Sequence, residues 1–408
     1  MLGKAINEEK IAHKENFDQK RVKFISFISF LMGFAQAFVL YVMSTYFKLA
    51  SGSENLGPFY FLAYAVILVF LFNLHKIIKN MGKVNVFHFA LLIKIIVLFL
   101  LSIVPPSKWS IILLIFYIIS GNLEWVSLDV ILESFSLDNM SGRIRGKYLT
   151  FINAGYLLGP FFSTNVLNDF GYGGVFSTLL IFNAFIFVFS LVGLHGVNHR
   201  FERTITVREI FQKVIRRRNV LRIYYLSFAL EFFYALTVIY VPLYLTDLGF
   251  SWDRIGLILT AMLLPFVFIQ YPMGVLADKK LGEKEMLIVS LVIMAASSSV
   301  LYFISTTSIL IWSLALFATR VGAAILEVMR DSYFYKRIDG NDVDLINFFR
   351  TAMPAAFITS SLITLPLLIF FPIKTTFLVV TAVVFSALFP AFFLVDNKCE
   401  KEISKERL

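Results

Sequence analysis

The sequence predicts an all-α integral membrane protein of twelve transmembrane helices in two six-helix bundles, with both termini in the cytoplasm. Three observations carry that expectation. Charged residues make up 16% of the 408 residues and hydrophobic residues 58%, whereas a soluble domain needs about 25% charged residues to cover its surface. Apolar runs of about 20 residues, enough to cross ~30 Å of hydrocarbon, recur along the whole chain. Lysine and arginine collect in alternate connections between these runs, the asymmetry that orients membrane helices.

In order, the runs cover 24–47, 57–77, 84–104, 109–133, 147–167, 174–196, 221–246, 254–277, 286–304, 308–333, 344–370 and 375–395. Turn signals separate them: Gly57-Pro58, Pro105-Pro106, Gly171 with Gly173-Gly174, and Gly340. The first twenty residues are polar and mixed in charge, so the first run reads as a span and not as the apolar core of a cleaved signal. The longest polar stretch lies between spans six and seven. There Val207, Ile210, Phe211, Val214 and Ile215 recur at helical spacing, which predicts a short amphipathic helix on the inner membrane face. The expected organisation is a cytoplasmic segment 1–23, a six-helix bundle 24–196, a linker 197–220, a second bundle 221–395 and a cytoplasmic tail 396–408.

With the N-terminus inside, inner segments hold 29 of the 37 basic residues and outer loops hold four: Lys48, Lys108, Arg254 and Lys374. That split orients the chain and requires an even number of spans. It also accounts for the net charge of +10 without a nucleic-acid partner, because the charge sits where anionic lipid meets it.

The halves match at an offset near 200. Tyr41-Val42 in span one meets Tyr240-Val241 in span seven, and Gly82 after span two meets Gly282 after span eight. Asp129 and Glu133 in span four meet Glu327 and Asp331 in span ten. Two similarly oriented six-span halves are the plan of one transporter class, with the substrate site between them. After span eight the chain reads Gly274-Val-Leu-Ala-Asp278-Lys279-Lys-Leu-Gly282-Glu-Lys284, and span five carries Gly142-Arg143-Ile-Arg145-Gly146-Lys147 and later Gly155-Tyr-Leu-Leu-Gly159-Pro160. On these segments the chain resembles the major facilitator superfamily. The Asp278-to-Gly282 spacing is one residue longer than that family's loop pattern, and the first-half copy ending at Gly82-Lys83 lacks the aspartate. The Gly155…Gly159-Pro160 segment also resembles a motif of drug–proton antiporters. Tyr117 stands where those antiporters often carry an arginine. The resemblance implies that spans one, four, seven and ten line a central cavity. It also implies a cell (inner or plasma) membrane protein.

Ionisable groups at membrane depth are costly and turn toward protein or water. Here they are Lys94, Glu124, Asp129, Glu133, Glu231, Arg320, Glu327, Arg330, Asp331 and Arg350. At ~100° per residue, Asn122, Asp129 and Glu133 share one stripe of span four, and Glu124 faces the other way. Arg320, Glu327 and Asp331 form the same stripe on span ten. Glu231 and Arg320 both fall near mid-depth, so they are expected to form the substrate or proton site, with Glu231 as titrating acid and Arg320 as its charge partner. Gln36, Asn122 and Glu124 are further cavity candidates, and Gln270 a possible polar contact. Lys94 is expected to be structural, reaching a carboxylate such as Glu124. A cytoplasmic gate is expected from Asp129, Glu133, Arg143, Arg145, Asp278, Lys279, Gly282, Glu327, Asp331 and Arg350, with Asp278 facing the positive N-terminus of span five.

No Gly-rich phosphate loop with lysine is present, which argues against direct ATP drive. No two of the five histidines have zinc-ligand spacing on a cavity helix, and the single cysteine, Cys399, excludes an internal disulfide. The expected function is secondary transport of a small solute by alternating access, proton-coupled, with efflux slightly favoured, by a monomer without metal or cofactor. Two alternatives compete. One is an intramembrane enzyme with a Mg²⁺–pyrophosphate site at Glu124, Asp129, Glu133 and Asp138; the other is a transporter-like sensor that binds without transport.

Overall fold

The computed structural model of the protein describes residues 19–133, 141–194, 207–277, 282–337 and 343–395. Asp278, Lys279 and Asp138 lie outside the described residues, as do the side chains of Glu133, Arg143 and Arg145. No strand occurs among the described residues. The first half comprises α1 (Gln19–Leu40), α2 (Met43–Ser51), α3 (Gly57–Met81), α4 (Lys83–Ile103), α5 (Lys108–Glu133) and α6 (Ser141–Gly193). A linker helix α7 (Val207–Arg216) follows. The second half comprises α8 (Arg218–Asp247), α9 (Trp252–Phe268), α10 (Gln270–Leu276), α11 (Lys284–Phe303), α12 (Ile309–Tyr335), α13 (Val343–Arg350), α14 (Ala352–Phe370), α15 (Thr375–Ser386) and α16 (Leu388–Phe392).

Eleven helical segments among the described residues are long and apolar enough to cross a membrane. One of them, Tyr148–Gly193, runs for 46 residues and is interrupted by Gly171, whose φ of 66° and ψ of −169° are not helical. Phe34 of α1 touches Phe162 at 6.1 Å and Phe182 at 4.9 Å between ring centroids. A straight helix would hold those two phenylalanines ~30 Å apart. The chain therefore doubles back at Gly171, and α6 is two antiparallel arms. Only a residue without a Cβ adopts this positive φ cheaply.

Several spans are broken part-way, and proline explains three of the breaks. A proline ring clashes with the carbonyl four residues before it. Pro272, Pro354 and Pro390 stand four residues after Phe268, Arg350 and Ser386, which are the last residues of α9, α13 and α15. The fourth break, at Tyr41-Val42 between α1 and α2, has no such proline. The breaks place Tyr41, Gln270 and Arg350 at helix ends inside the bundle. Irregular backbone at membrane depth is tolerated where protein buries it or water reaches it.

The core is one continuous apolar mass running through both halves. Many large side chains on the outer circumference remain exposed, among them Phe170, Ile181, Val192, Phe268 and Phe370. Such a surface suits lipid. Within the first half α1 packs on α6, and α4 on α5 and α6; within the second half α11 packs on α12 and α15, and α8 on α12 and α14. Among the described residues the halves join where α6 meets α9 and α10, α3 meets α14, and α2 meets α8.

The glycines of the antiporter-like segment have a packing role. A Cβ at Gly155 would stand 2.7 Å from the Phe34 backbone nitrogen, and one at Gly159 would stand 2.7 Å from the Ala37 carbonyl carbon. These glycines let α1 and α6 approach backbone to backbone, as small residues do in membrane interfaces. Gly155→Val is expected to lower stability by about 1–3 kcal/mol or more through overpacking. The check is a fall in the melting temperature of the detergent-purified protein, and an unchanged value refutes the close-approach account.

Candidate functional site

The chain enters and leaves the bundle at one face, the terminal face; the opposite end is the far face. Polar side chains from both halves meet along the surface between them, at three levels.

At the far face, Lys48 Nζ at the end of α2 lies 3.0 Å from Asp247 Oδ1 at the end of α8, and 3.0 Å from Glu54 Oε1. Lys48 and Asp247 are 199 residues apart, which is the repeat offset, so the pair joins equivalent ends of the two halves. The far-face seams are close. Asn55 Nδ2 donates to the Leu365 carbonyl at 3.1 Å, and a Cβ on Gly57 would reach 3.0 Å from the Ser361 carbonyl oxygen. A Cβ on Gly256 of α9 would stand 3.1 Å from Thr164 Cβ of α6. The sequence reading placed a gate at the cytoplasmic end only and missed the far-face pair, whose members lie at span ends where a charge is unremarkable.

At the terminal face, Arg350 Nη1 of α13 meets Asp129 Oδ2 of α5 at 2.5 Å, an ion pair across the halves. Deeper, Asn153 Nδ2 of α6 donates to Gln270 Oε1 at 2.7 Å, and Gln270 Nε2 donates to Glu327 Oε2 at 2.8 Å. A chain of side chains thus runs from the first half through α10 to α12. Glu327 was expected to face a gate cation; its bonded partner here is the neutral Gln270. Asp331 Oδ1 lies 3.4 Å from Nε of its neighbour Arg330. Gly282 takes a φ of 74° and donates its N–H to the Ala277 carbonyl, closing the turn after α10. The sequence reading passed over Glu283. It is buried, receives Ser332 Oγ at 2.8 Å, and pairs with Lys336 Nζ at 2.5 Å.

At mid-depth the expected Glu231–Arg320 pair does not form. The partner of Glu231 is Arg330, whose Nη1 lies 2.9 Å from Glu231 Oε1 and 2.8 Å from Ser227 Oγ. Arg320 instead donates from Nη2 to Thr237 Oγ1 at 3.0 Å. The reason is register. Helices α8 and α12 are antiparallel, so Ser227 and Thr237, ten residues apart, face Arg330 and Arg320, also ten apart. Depth counted from apolar span ends set Glu231 opposite Arg320, whereas packing slides the helices by about two turns. The Arg320 guanidinium carbon sits 4.6 Å from the Phe233 ring centroid and 5.5 Å from that of Tyr234. Tyr41, at the break in span one, lies beside it from the first half.

Glu124 was expected in the cavity with Gln36 and Asn122. It is fully buried, with Oε2 2.9 Å from Lys94 Nζ of α4, and both members of the pair are almost inaccessible, at 0% and 2% side-chain exposure. That sequesters Glu124 within the first half. Gln36 Oε1 lies close by, near Gly121, and has no hydrogen-bond partner. Asn122 Nδ2 donates to the Ile118 carbonyl of its own helix. Among the described residues no cluster of His, Cys, Asp and Glu is arranged to hold a metal ion.

Comparison with known proteins agrees with this architecture. Residues 246–408 match the family model described as Major Facilitator Superfamily. A search of curated proteins finds no match. Among solved structures the chain is similar to the crystal structure of the nucleoside transporter NupG in its D323A mutant form. The TM-score is 0.70 at 12% identity, covering 92% of this chain and 99% of that one. At that identity the likeness speaks for the fold. The family model matches residues of the second half, and the fold of the solved transporter structure is shared along nearly the whole length of the chain.

Proposed function

We propose that the protein is a secondary active transporter that moves a small solute by alternating access, coupled to protons. In this reading it crosses the membrane twelve times, counting the two arms of α6 separately. The terminal face is cytoplasmic and the membrane is the cell membrane. The observation that carries the reading is that two repeated halves meet along a polar surface, with an ion pair between them at each face. Rocking one half on the other must break one pair while the other holds. The Lys48–Asp247 pair is solvent-exposed, with side chains 32% and 37% accessible, and such pairs contribute only about 0–1 kcal/mol. A latch that opens in every cycle has to be weak. In this reading the far face is the outer one, and the closed pair with the tight seams there supports a state shut toward the outside.

Glu231 is the acid on which proton coupling rests. Its carboxylate is held by Arg330 in the second half, and movement of α8 against α12 makes or breaks that contact. Solute moves outward in this reading, on the resemblance of the α6 glycine segment to antiporters. The NupG likeness makes nucleosides reasonable members of the first solute panel. In proteoliposomes Glu231→Gln is expected to reduce proton-driven accumulation at least tenfold while solute exchange without a gradient persists. Full proton-driven accumulation by that variant refutes the assignment of Glu231.

A further inference from the structure

We propose that the transported solute is a monovalent organic anion whose carboxylate seats on Arg320. This rests on reading the surface between the halves as the transport route. Arg320 is 1% exposed, and its Nε and Nη1 have no hydrogen-bond partner. No ion pair among the described residues includes it; Glu231 is held by Arg330, and Glu327, two turns along α12, is engaged by Gln270. An arginine cannot shed its proton to escape burial, and a buried charge without a counter-ion is costly. The fold therefore keeps a permanent positive charge at mid-depth that no described residue pairs with in an ion pair.

The surroundings define the shape of what would. Phe233 and Tyr234 lie by the guanidinium with their rings, Thr237 accepts from Nη2, and Tyr41 closes the site from the first half. The free N–H groups point along the edge of the guanidinium plane, where a planar carboxylate accepts charge-assisted hydrogen bonds. The Tyr234 hydroxyl is also buried without a partner, and it can donate to the same anion. One spare positive charge matches one negative charge. A neutral nucleoside leaves the charge unanswered, and a dianion brings a second negative charge toward Glu327 and Glu231. Because Arg320 belongs to the second half and Tyr41 to the first, an anion bound here touches both moving parts.

The test uses the full-length protein in detergent and in proteoliposomes, with acetate, lactate, benzoate and salicylate as probes, phenyl phosphate as a dianion and uridine as a neutral solute. At least one monocarboxylate is expected to raise the melting temperature of the unaltered protein and to be better than phenyl phosphate and uridine. Arg320→Gln is expected to weaken that binding at least tenfold, with Arg320→Lys intermediate. Tyr234→Phe, which keeps the ring and the packing, is expected to weaken it severalfold and serves if Arg320→Gln does not fold. The inference is overturned if no monocarboxylate binds, if phenyl phosphate or uridine binds better than all of them, or if Arg320→Gln and Tyr234→Phe both bind as the unaltered protein does. Uridine transport that is indifferent to Arg320 removes the anion site and leaves the transporter reading in place. Arg320-dependent carboxylate binding without any movement into vesicles does the reverse.

Discussion

Replacing Lys94 with methionine is expected to destabilise the protein by about 3–5 kcal/mol, the range for removing one partner of a buried ion pair. Lys94 and Glu124 bond at 2.9 Å with almost no side-chain exposure. Without the ammonium, Glu124 is left as a carboxylate in a dry interior, and its Oε1 has no partner even now. The nearby Gln36 Oε1 and Tyr117 hydroxyl are also unpartnered, and neither replaces a cation. The double change Lys94→Met with Glu124→Leu removes both charges. It is expected to recover most of the stability, since well-packed apolar residues often equal a buried ion pair. It is also expected to transport, because the pair ties α4 to α5 inside one half and does not cross between halves. Thermal unfolding of the three variants in detergent, with transport in vesicles, checks both statements. A single Lys94→Met as stable as the unaltered protein refutes the first, and a folded double variant without transport refutes the second.

Arg330→Met is the second large effect. Arg330 bonds Glu231 and Ser227 on α8 and lies beside Asp331, so its loss leaves Glu231 without its cation at a side-chain exposure of 13%. A fall in stability of about 3 kcal/mol is expected, and proton-driven transport should drop at least a hundredfold. Arg330→Lys keeps the charge and loses the fork that reaches Ser227 and Glu231 together, so it should recover stability only in part. Adding Glu231→Gln to Arg330→Met should restore stability and leave proton-driven transport absent. A double-mutant cycle on the two positions measures their coupling directly. Additivity within about 0.5 kcal/mol means the contact contributes nothing.

Most of the fold was legible in the chain. Apolar length, the bias of basic residues and the offset near 200 reflect requirements that each segment meets locally: to span lipid, to keep its charges out of lipid, and to resemble its counterpart. The helix interruptions were not legible: Pro272, Pro354 and Pro390 each stand four residues beyond a break, but Pro160, Pro242, Pro265 and Pro366 stand inside helices that continue. The seam between α1 and α6 was present as Gly155 and Gly159, although their sequence context suggested antiport and the structure shows close packing.

The candidate site was legible only as a set of residues. Every ionisable group at depth could be named, and the Lys94–Glu124 and Asp129–Arg350 contacts follow from which helices neighbour each other. The partner of Glu231 could not be read this way. Hydropathy marks span ends to within a turn or so, and sliding α8 against α12 by two turns exchanges Arg320 for Arg330. The sequence by itself determined that this is an all-helical membrane protein with many apolar spans and with charges buried among them. The tertiary structure decided which of those charges are satisfied. Helix register is set by side-chain packing between helices, and no single helix carries that information. That packing is what binds Arg330 to Glu231 and leaves Arg320 without an ion pair among the described residues.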